Sequence, residues 1–188
     1  MNKKFLIGLL IATLCAACSK NGADGASPAA PAGESIAIAN GDFEQPASGD
    51  DIPGWTLTHH AGVVGYKATL DRDGAAHGQT SLRFTRTEPQ VYGEMMQRLD
   101  LARYGGKTVE LSAMMKSADV GPKGWKLFIN GNLPGTLAYS SGVKETTGWQ
   151  RQSVQLKLPP RISDVTIGAT LLDSGTGWLD DVQLHVVN

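Results

Sequence analysis

From residue 80 onward the chain alternates apolar and polar positions in short runs, broken by glycine, proline and aspartate. TSLRFTR (80–86) sets Leu82 and Phe84 against Ser81, Arg83 and Thr85. KTVELSAMMK (107–116) places Val109, Leu111, Ala113 and Met115 on one parity. RQSVQLKL (151–158) does the same with Val154, Leu156 and Leu158, and SDVTIGATLL (163–172) with Val165, Ile167, Ala169 and Leu171. The closing stretch SGTGWLDDVQLHVVN (174–188) also alternates, and puts Trp178, Asp180, Val182 and Leu184 on one parity. A period of two predicts strands with one buried face, the signature of antiparallel sheets. Only QRLDLARYGG (97–106) reads as a helical turn, ended by Gly105 and Gly106. Many strands with turn residues between them predict an all-β domain of two antiparallel sheets, a β-sandwich.

The first residues follow another pattern. Lys3 and Lys4 precede the apolar run FLIGLLIATL (5–14), which meets the small residues CAAC at 15–18. Such a segment reads as a signal peptide over 1–17 and is short for a membrane span. CAAC resembles a bacterial lipobox, with Cys15 where a leucine usually stands and Leu14 one step further back. Cleavage before Cys18 would leave that cysteine acylated, a palmitate-bearing anchor in the membrane. The alternative is ordinary secretion after Ala17. Ser19, in place of an aspartate after the cysteine, favours the outer membrane of a Gram-negative bacterium by resemblance to enterobacterial sorting rules. Residues 18–34 are rich in Ala, Gly, Pro and Ser and read as a flexible tether, about 50 Å long if extended at about 3.3 Å per residue. The folded domain is expected over 35–188.

Charge and motif content narrow the function. Seventeen lysines and arginines against eighteen acids give a net charge of −1 without a basic run, which argues against nucleic acid. Both cysteines lie within 15–18, so the domain has no disulfide to form. Neither G-x-S-x-G, a phosphate loop nor H-E-x-x-H occurs. His59 and His60 are strand neighbours that point to opposite faces, and His77 and His185 read as surface residues. Glu88, Glu94, Glu110 and Glu145 read as sheet-surface acids rather than a glycosidase pair. No enzyme is expected.

NGDFEQP (40–46), GW (54–55), GQTSLRF (78–84), GKTVELSAMMKS (106–117), TTGWQRQSVQLKLP (146–159) and GWLDDVQL (177–184) together resemble galactose-binding-like jelly rolls, and more narrowly carbohydrate-binding modules of the family 4/9 type. The resemblance covers about 35–188. The stretches YGGKTVELSAMMKSADV and GTGWLDDVQLHVV also resemble a domain found beside bacterial regulators and peptidases. The first likeness implies a non-catalytic module that binds a soluble glycan or oligosaccharide. The alternative is an envelope domain with a protein partner on the same fold.

In such jelly rolls the first and last strands adjoin, and the seam often holds structural Ca2+, a cation that takes six to eight oxygens. Asp180 is the first-choice ligand, because its parity aims it inward where an unpaired carboxylate is costly, followed by Glu44 and Asp42. The alternative is that these acids cap loop N–H groups and pair with an arginine. A sugar site needs aromatic faces and hydroxyl partners. Trp55, Trp149 and Trp178 are expected to pack. Trp125, which shares parity with Leu127 and Ile129, Tyr139 in a serine- and glycine-rich loop, Tyr92 and Glu110 are the candidate ligand-binding residues. Tyr92, Glu94 and Met96 share one parity on VYGEMMQRL (91–99), as Glu110, Ser112 and Met114 do on 107–116, so either strip could line a concave face.

Overall fold

The structure is a computed structural model that describes residues 33–187; the signal peptide, Cys18 and nearly all of the tether lie outside the described residues. Ten strands follow in chain order: β1 (Ser35–Ile36), β2 (Thr56–His59), β3 (Tyr66–Asp71), β4 (Ser81–Arg86), β5 (Gly93–Asp100), β6 (Thr108–Asn130), β7 (Leu137–Tyr139), β8 (Val143–Lys157), β9 (Asp164–Leu171) and β10 (Thr176–Val187). The helical turn expected near 97–106 is a single 3-10 turn, Ala102–Tyr104, followed by Gly106 at positive φ.

Every pairing is antiparallel, and β6 organises them all. Its first half pairs with β10 and β8, its second half with β9 and β7. The back sheet therefore runs β3-β4-β10-β6-β8, with β1 added on β10, and the front sheet runs β2-β5-β9-β6-β7. Between Ser117 and Trp125 the pairing of β6 with β8 slips repeatedly, and Asp119 and Gly124 take positive φ. Bulges of this kind let one strand turn a corner and pass from one sheet to the other.

The inward parity forms one core. Leu82, Phe84, Val109, Leu111, Ala113 and Met115 from the back sheet meet Val165, Ile167, Ala169 and Leu171 from the front, all fully buried. Tyr66, Phe84 and Trp125 stack in a row with centroids 5.2 and 5.4 Å apart. The Tyr66 hydroxyl donates to the Leu171 carbonyl at 3.0 Å, which ties back sheet to front. Gly93 and Gly177 lie against the Tyr66 and Trp125 rings so closely that a Cβ at either would sit within 2.7 Å of ring carbons. Large rings and absent side chains interlock at native density here.

The N-terminal segment closes the seam. Ser35 and Ile36 pair with His185 and Leu184, and Val182 N–H donates to the Gly41 carbonyl at 2.8 Å. Gln97 binds both backbone groups of Ala39, and the Trp55 indole N–H donates to the Asn40 carbonyl at 3.0 Å. Trp55 and Phe43 pack together with centroids 5.2 Å apart, so Trp55 is the core plug that was expected.

Candidate functional site

Cross-strand register assembles three rows on the outer face of the front sheet. Thr56, Met96, Gly168, Phe128 and Tyr139 form the middle row; Thr58, Glu94, Thr170 and Lys126 lie on one side; Arg98, Thr166, Asn130 and Leu137 lie on the other. Gly168 leaves the centre of the sheet without a side chain. A Cβ there would come 2.1 Å from the Met95 carbonyl oxygen. The same face carries a groove of about 370 Å³, lined by Glu94, Met96, Phe128, Asn130, Asn132 and Tyr139 among others.

Tyr139 is 46% exposed and leans on buried Phe128, ring centroids 6.4 Å apart. Asn132 is fixed by its side-chain amide to Asp164 O and Thr166 Oγ1, and by its backbone N–H to Asn130 Oδ1. Arg98 is held 2.9 Å from Asp164. Burial pushes the Glu94 carboxyl above its ordinary range, opposed by hydroxyls of Thr170 and Thr58. Burial raises the Tyr139 phenol, and the negative charge of Glu94 and nearby Tyr92 add to it. Tyr92 stacks edge-on with His60 at 5.7 Å. An exposed aromatic ring, a half-buried carboxylate acceptor and fixed amide donors in a shallow groove suit a polyhydroxylated ligand.

Of the four residues expected to bind ligand, Tyr139 lines the groove with Glu94, and Tyr92 lies outside its lining, against His60. Trp125 and Glu110 lie elsewhere. Trp125 is fully buried against Phe84, and its indole N–H donates to the Trp178 carbonyl; the parity it shares with Leu127 and Ile129 carries it into the core. Glu110 lies on the back sheet opposite Gln155 and His185, where its carboxylate accepts from Gln155 at 2.6 Å. Thr58, Arg98, Asn130, Asn132 and Thr166 have no motif that marks them, because four strands distant in sequence bring them together.

The paired acids of β10 do something other than expected. The strand slips register between Asp180 and Gln183, and Asp181 takes φ 47°. This β-bulge reverses the parity. Leu179 faces the core opposite Met115, while Trp178 and Asp180 lie opposite Lys116 and Met114 on the outer face; Val182 and Leu184 then return to the core. Asp180 is nonetheless 0% exposed, because the β3–β4 loop, residues 72–80, lies across it. Its Oδ2 accepts the N–H groups of Ala76 and His77 at 2.8 and 2.9 Å, and its Oδ1 that of Asp181 at 2.7 Å. Glu44 grips the same loop further along, accepting from Gln79 and Thr80 at 2.7 and 3.0 Å. Trp178 donates to Asp71, Trp149 to the Gly74 carbonyl, and Asp181 pairs with Arg151. Trp178 and Trp149 are half-buried, pinning the loop rather than filling the core.

Burial raises the Asp180 carboxyl against the pull of its three N–H donors. The N–H groups of Gln79 and Thr80 lower that of Glu44. This donor set does not fit calcium. Both Asp180 oxygens face N–H hydrogens, Asp42 accepts only the Glu44 N–H at 3.4 Å, and among the described residues no three His, Cys, Asp or Glu side chains cluster as a metal site. The geometry matches the capping half of the alternative, since Asp180 and Glu44 accept loop N–H groups, while the arginine pair is made by Asp181 with Arg151.

No family model matches the chain. Over 150 residues it is 25% identical to an uncharacterized HTH-type transcriptional regulator, YbfP, of Bacillus subtilis, matching 73% of this chain and 49% of that protein. The chain thus spans about half the length of its curated relative. Among solved structures it is similar to the CBM22-1 xylan-binding domain of Paenibacillus barcinonensis Xyn10C, with TM-score 0.56 and 21% identity over 85% of this chain and 99% of that one. The chain has the β-sandwich fold of carbohydrate-binding modules. A CBM4 structure aligns at TM-score 0.56 and 20% identity over 80% of this chain and all of the other. TmCBM61, solved with β-1,4-galactotriose, aligns at 0.53 and 16% over 79% and 96%. At these identities the likeness concerns the fold.

Proposed function

We propose that the domain is a non-catalytic module that binds a soluble glycan or oligosaccharide along the front groove. The observation that carries the reading is the exposed Tyr139 ring at the edge of the front groove, beside a half-buried Glu94. A pyranose ring would lay its CH face on the phenol, and its hydroxyls would meet Glu94, Asn130 and Asn132. The fold shared with a xylan-binding domain and with a module that holds β-1,4-galactotriose supports the same reading.

Titration calorimetry of the full chain with xylohexaose and β-1,4-galactotriose, preceded by a glycan array, tests it. Tyr139→Ala is expected to weaken binding at least about tenfold, a change of about 1.4 kcal/mol, while moving stability by no more than about 0.5 kcal/mol. An empty array, or an unchanged Kd in that variant, overturns the reading.

The lipid anchor at Cys18 and display from the outer membrane belong to the same proposal, and fatty-acid labelling lost in Cys18→Ala checks them. A second reading, an envelope protein partner, rests on one observation. Val63, Val64 and Val91 are 66, 62 and 59% exposed on two adjoining loops that Gln90 ties together through His60 O and Val63 O. Exposed apolar clusters of this kind mark contact surfaces.

A further inference from the structure

The outer face of the back sheet carries a second array that the front groove does not use. Register sets Arg83 of β4 beside Trp178 of β10, and Trp178 beside Lys116 of β6. Trp149 of β8 follows on the far side of Lys116. The Arg83 guanidinium lies 5.7 Å from the centre of the Trp178 ring. The Lys116 ammonium lies 4.5 Å from that ring and 5.8 Å from the Trp149 ring. Cation, indole, cation and indole alternate across four strands.

The indoles are fixed, because each ring N–H already has an acceptor: the Asp71 carboxylate for Trp178 and the Gly74 carbonyl for Trp149. The cations are placed but uncommitted. Among the described residues neither Arg83 nor Lys116 donates to any acceptor, and none of the four ion pairs involves them. Lys67, exposed on β3 one row away, has no ion-pair partner there either. Asp71 lies beside the row, and Asp180, buried under the loop, follows Trp178 on the same face. Asp71 faces both cations from beyond ion-pairing distance and is engaged by Trp178. Lys67, Arg83 and Lys116 thus stand on this face without an ion-pair partner among the described residues.

We propose that this ladder is a second site, for a polysaccharide bearing carboxylate or sulfate groups. Arg83 and Lys116 stand two strands apart, roughly 10 Å by ordinary strand spacing. That separation suits anionic groups on alternate residues of an extended sugar chain. Arg83 supplies a planar donor fork and Lys116 a point charge, the two ways a protein holds such oxygens. The indole between them offers an apolar edge to the ring that links the charges. The site is independent of the front groove, since the two lie on opposite outer faces.

The test uses the purified full chain with two probes, heparin as the sulfated chain and polygalacturonate as the carboxylated one, in low salt and again with added salt. Saturable binding to at least one is expected, weakening steeply as salt rises. Arg83→Gln with Lys116→Gln is expected to lower affinity at least tenfold at unchanged melting temperature. Lys107→Gln with Lys157→Gln, and separately Tyr139→Ala, should leave it unchanged. No binding to either probe, or equal loss in the control pair, overturns the proposal. Binding to phosphatidylglycerol vesicles but to neither polysaccharide also overturns it, and reassigns the face to a lipid surface. A failure of the neutral-glycan reading would appear in the array and the xylohexaose and β-1,4-galactotriose titrations, which do not use these probes, so the two are separable.

Discussion

The back and front sheets present opposite treatments of the same antiparallel surface. On the back, the loop 72–80 folds down over β10, and two carboxylates, Asp180 and Glu44, hold it through four of its backbone N–H groups. On the front, a groove stays open beside the central rows, and Tyr139 stands exposed at its margin. Both faces are built from period-two strands of similar composition, so the difference comes from what the connecting segments do. A long β3–β4 connection rich in Gly and Ala supplies backbone donors that match Asp180 and Glu44. The short β6–β7 connection instead lifts Leu137 and Tyr139 to the rim of an open groove. The loop ties down the part of the back face around Asp180 and leaves Arg83 exposed beside it, while the front groove stays open.

The largest expected effect strikes both faces together. Trp125→Ala removes the ring at the corner where β6 changes sheets, and should cost about 3–5 kcal/mol in denaturant unfolding. A smaller loss would mean that the stacked row is less central than its burial implies. Next, Asp180→Ala orphans three N–H groups and should cost about 2–3 kcal/mol. Hydrogen exchange at 74–80 should accelerate ahead of the front strands, and ligand affinity at the groove should hold. Equal acceleration on both faces would break the distinction between covered and open.

Glu44→Gln should act more mildly and with a pH signature. Because the folded carboxyl titrates below its ordinary range, its contribution is present above that range and lost as pH falls through the lowered value. The melting temperature of the variant should lie below that of the parent at neutral pH, and the gap should close on acidification. A gap constant with pH would assign the effect to packing instead. The smallest effect expected is none. With Asp180 and Glu44 satisfied by N–H donors, EDTA should leave the melting temperature unchanged, and a fall would restore calcium to the seam.

Much of this architecture was legible in the sequence. Strict alternation in 80–86, 107–116 and 163–172 identified the buried sets Leu82 and Phe84, Val109 to Met115, and Val165 to Leu171, because a half-buried strand leaves no freedom in parity. The adjacency of head and tail was legible too, through the likeness of NGDFEQP and GWLDDVQL to jelly-roll seams. The bulge at Asp180–Asp181 was not. Both residues are polar, so an inserted position leaves the pattern looking regular while Trp178 moves to the outer face. The continuity of β6 was hidden for a related reason, since Gly121, Pro122 and Gly124 look like a turn yet mark a corner within one strand. The groove was half legible. Tyr139 stood out as an aromatic, whereas Asn130, Thr166 and Thr58 become neighbours only through pairings of β2, β5, β9 and β6. No short motif records those pairings.

The passage of β6 through both sheets has a consequence for measurement. One strand of 23 residues gives its first half to one layer and its second half to the other, so the two layers are expected to unfold together. Occupancy of the groove should therefore be readable from the far side of the molecule: saturating ligand raises the free energy of global opening by RT ln(1 + [L]/Kd), and the slowest amides of β10 would register it without touching the ligand.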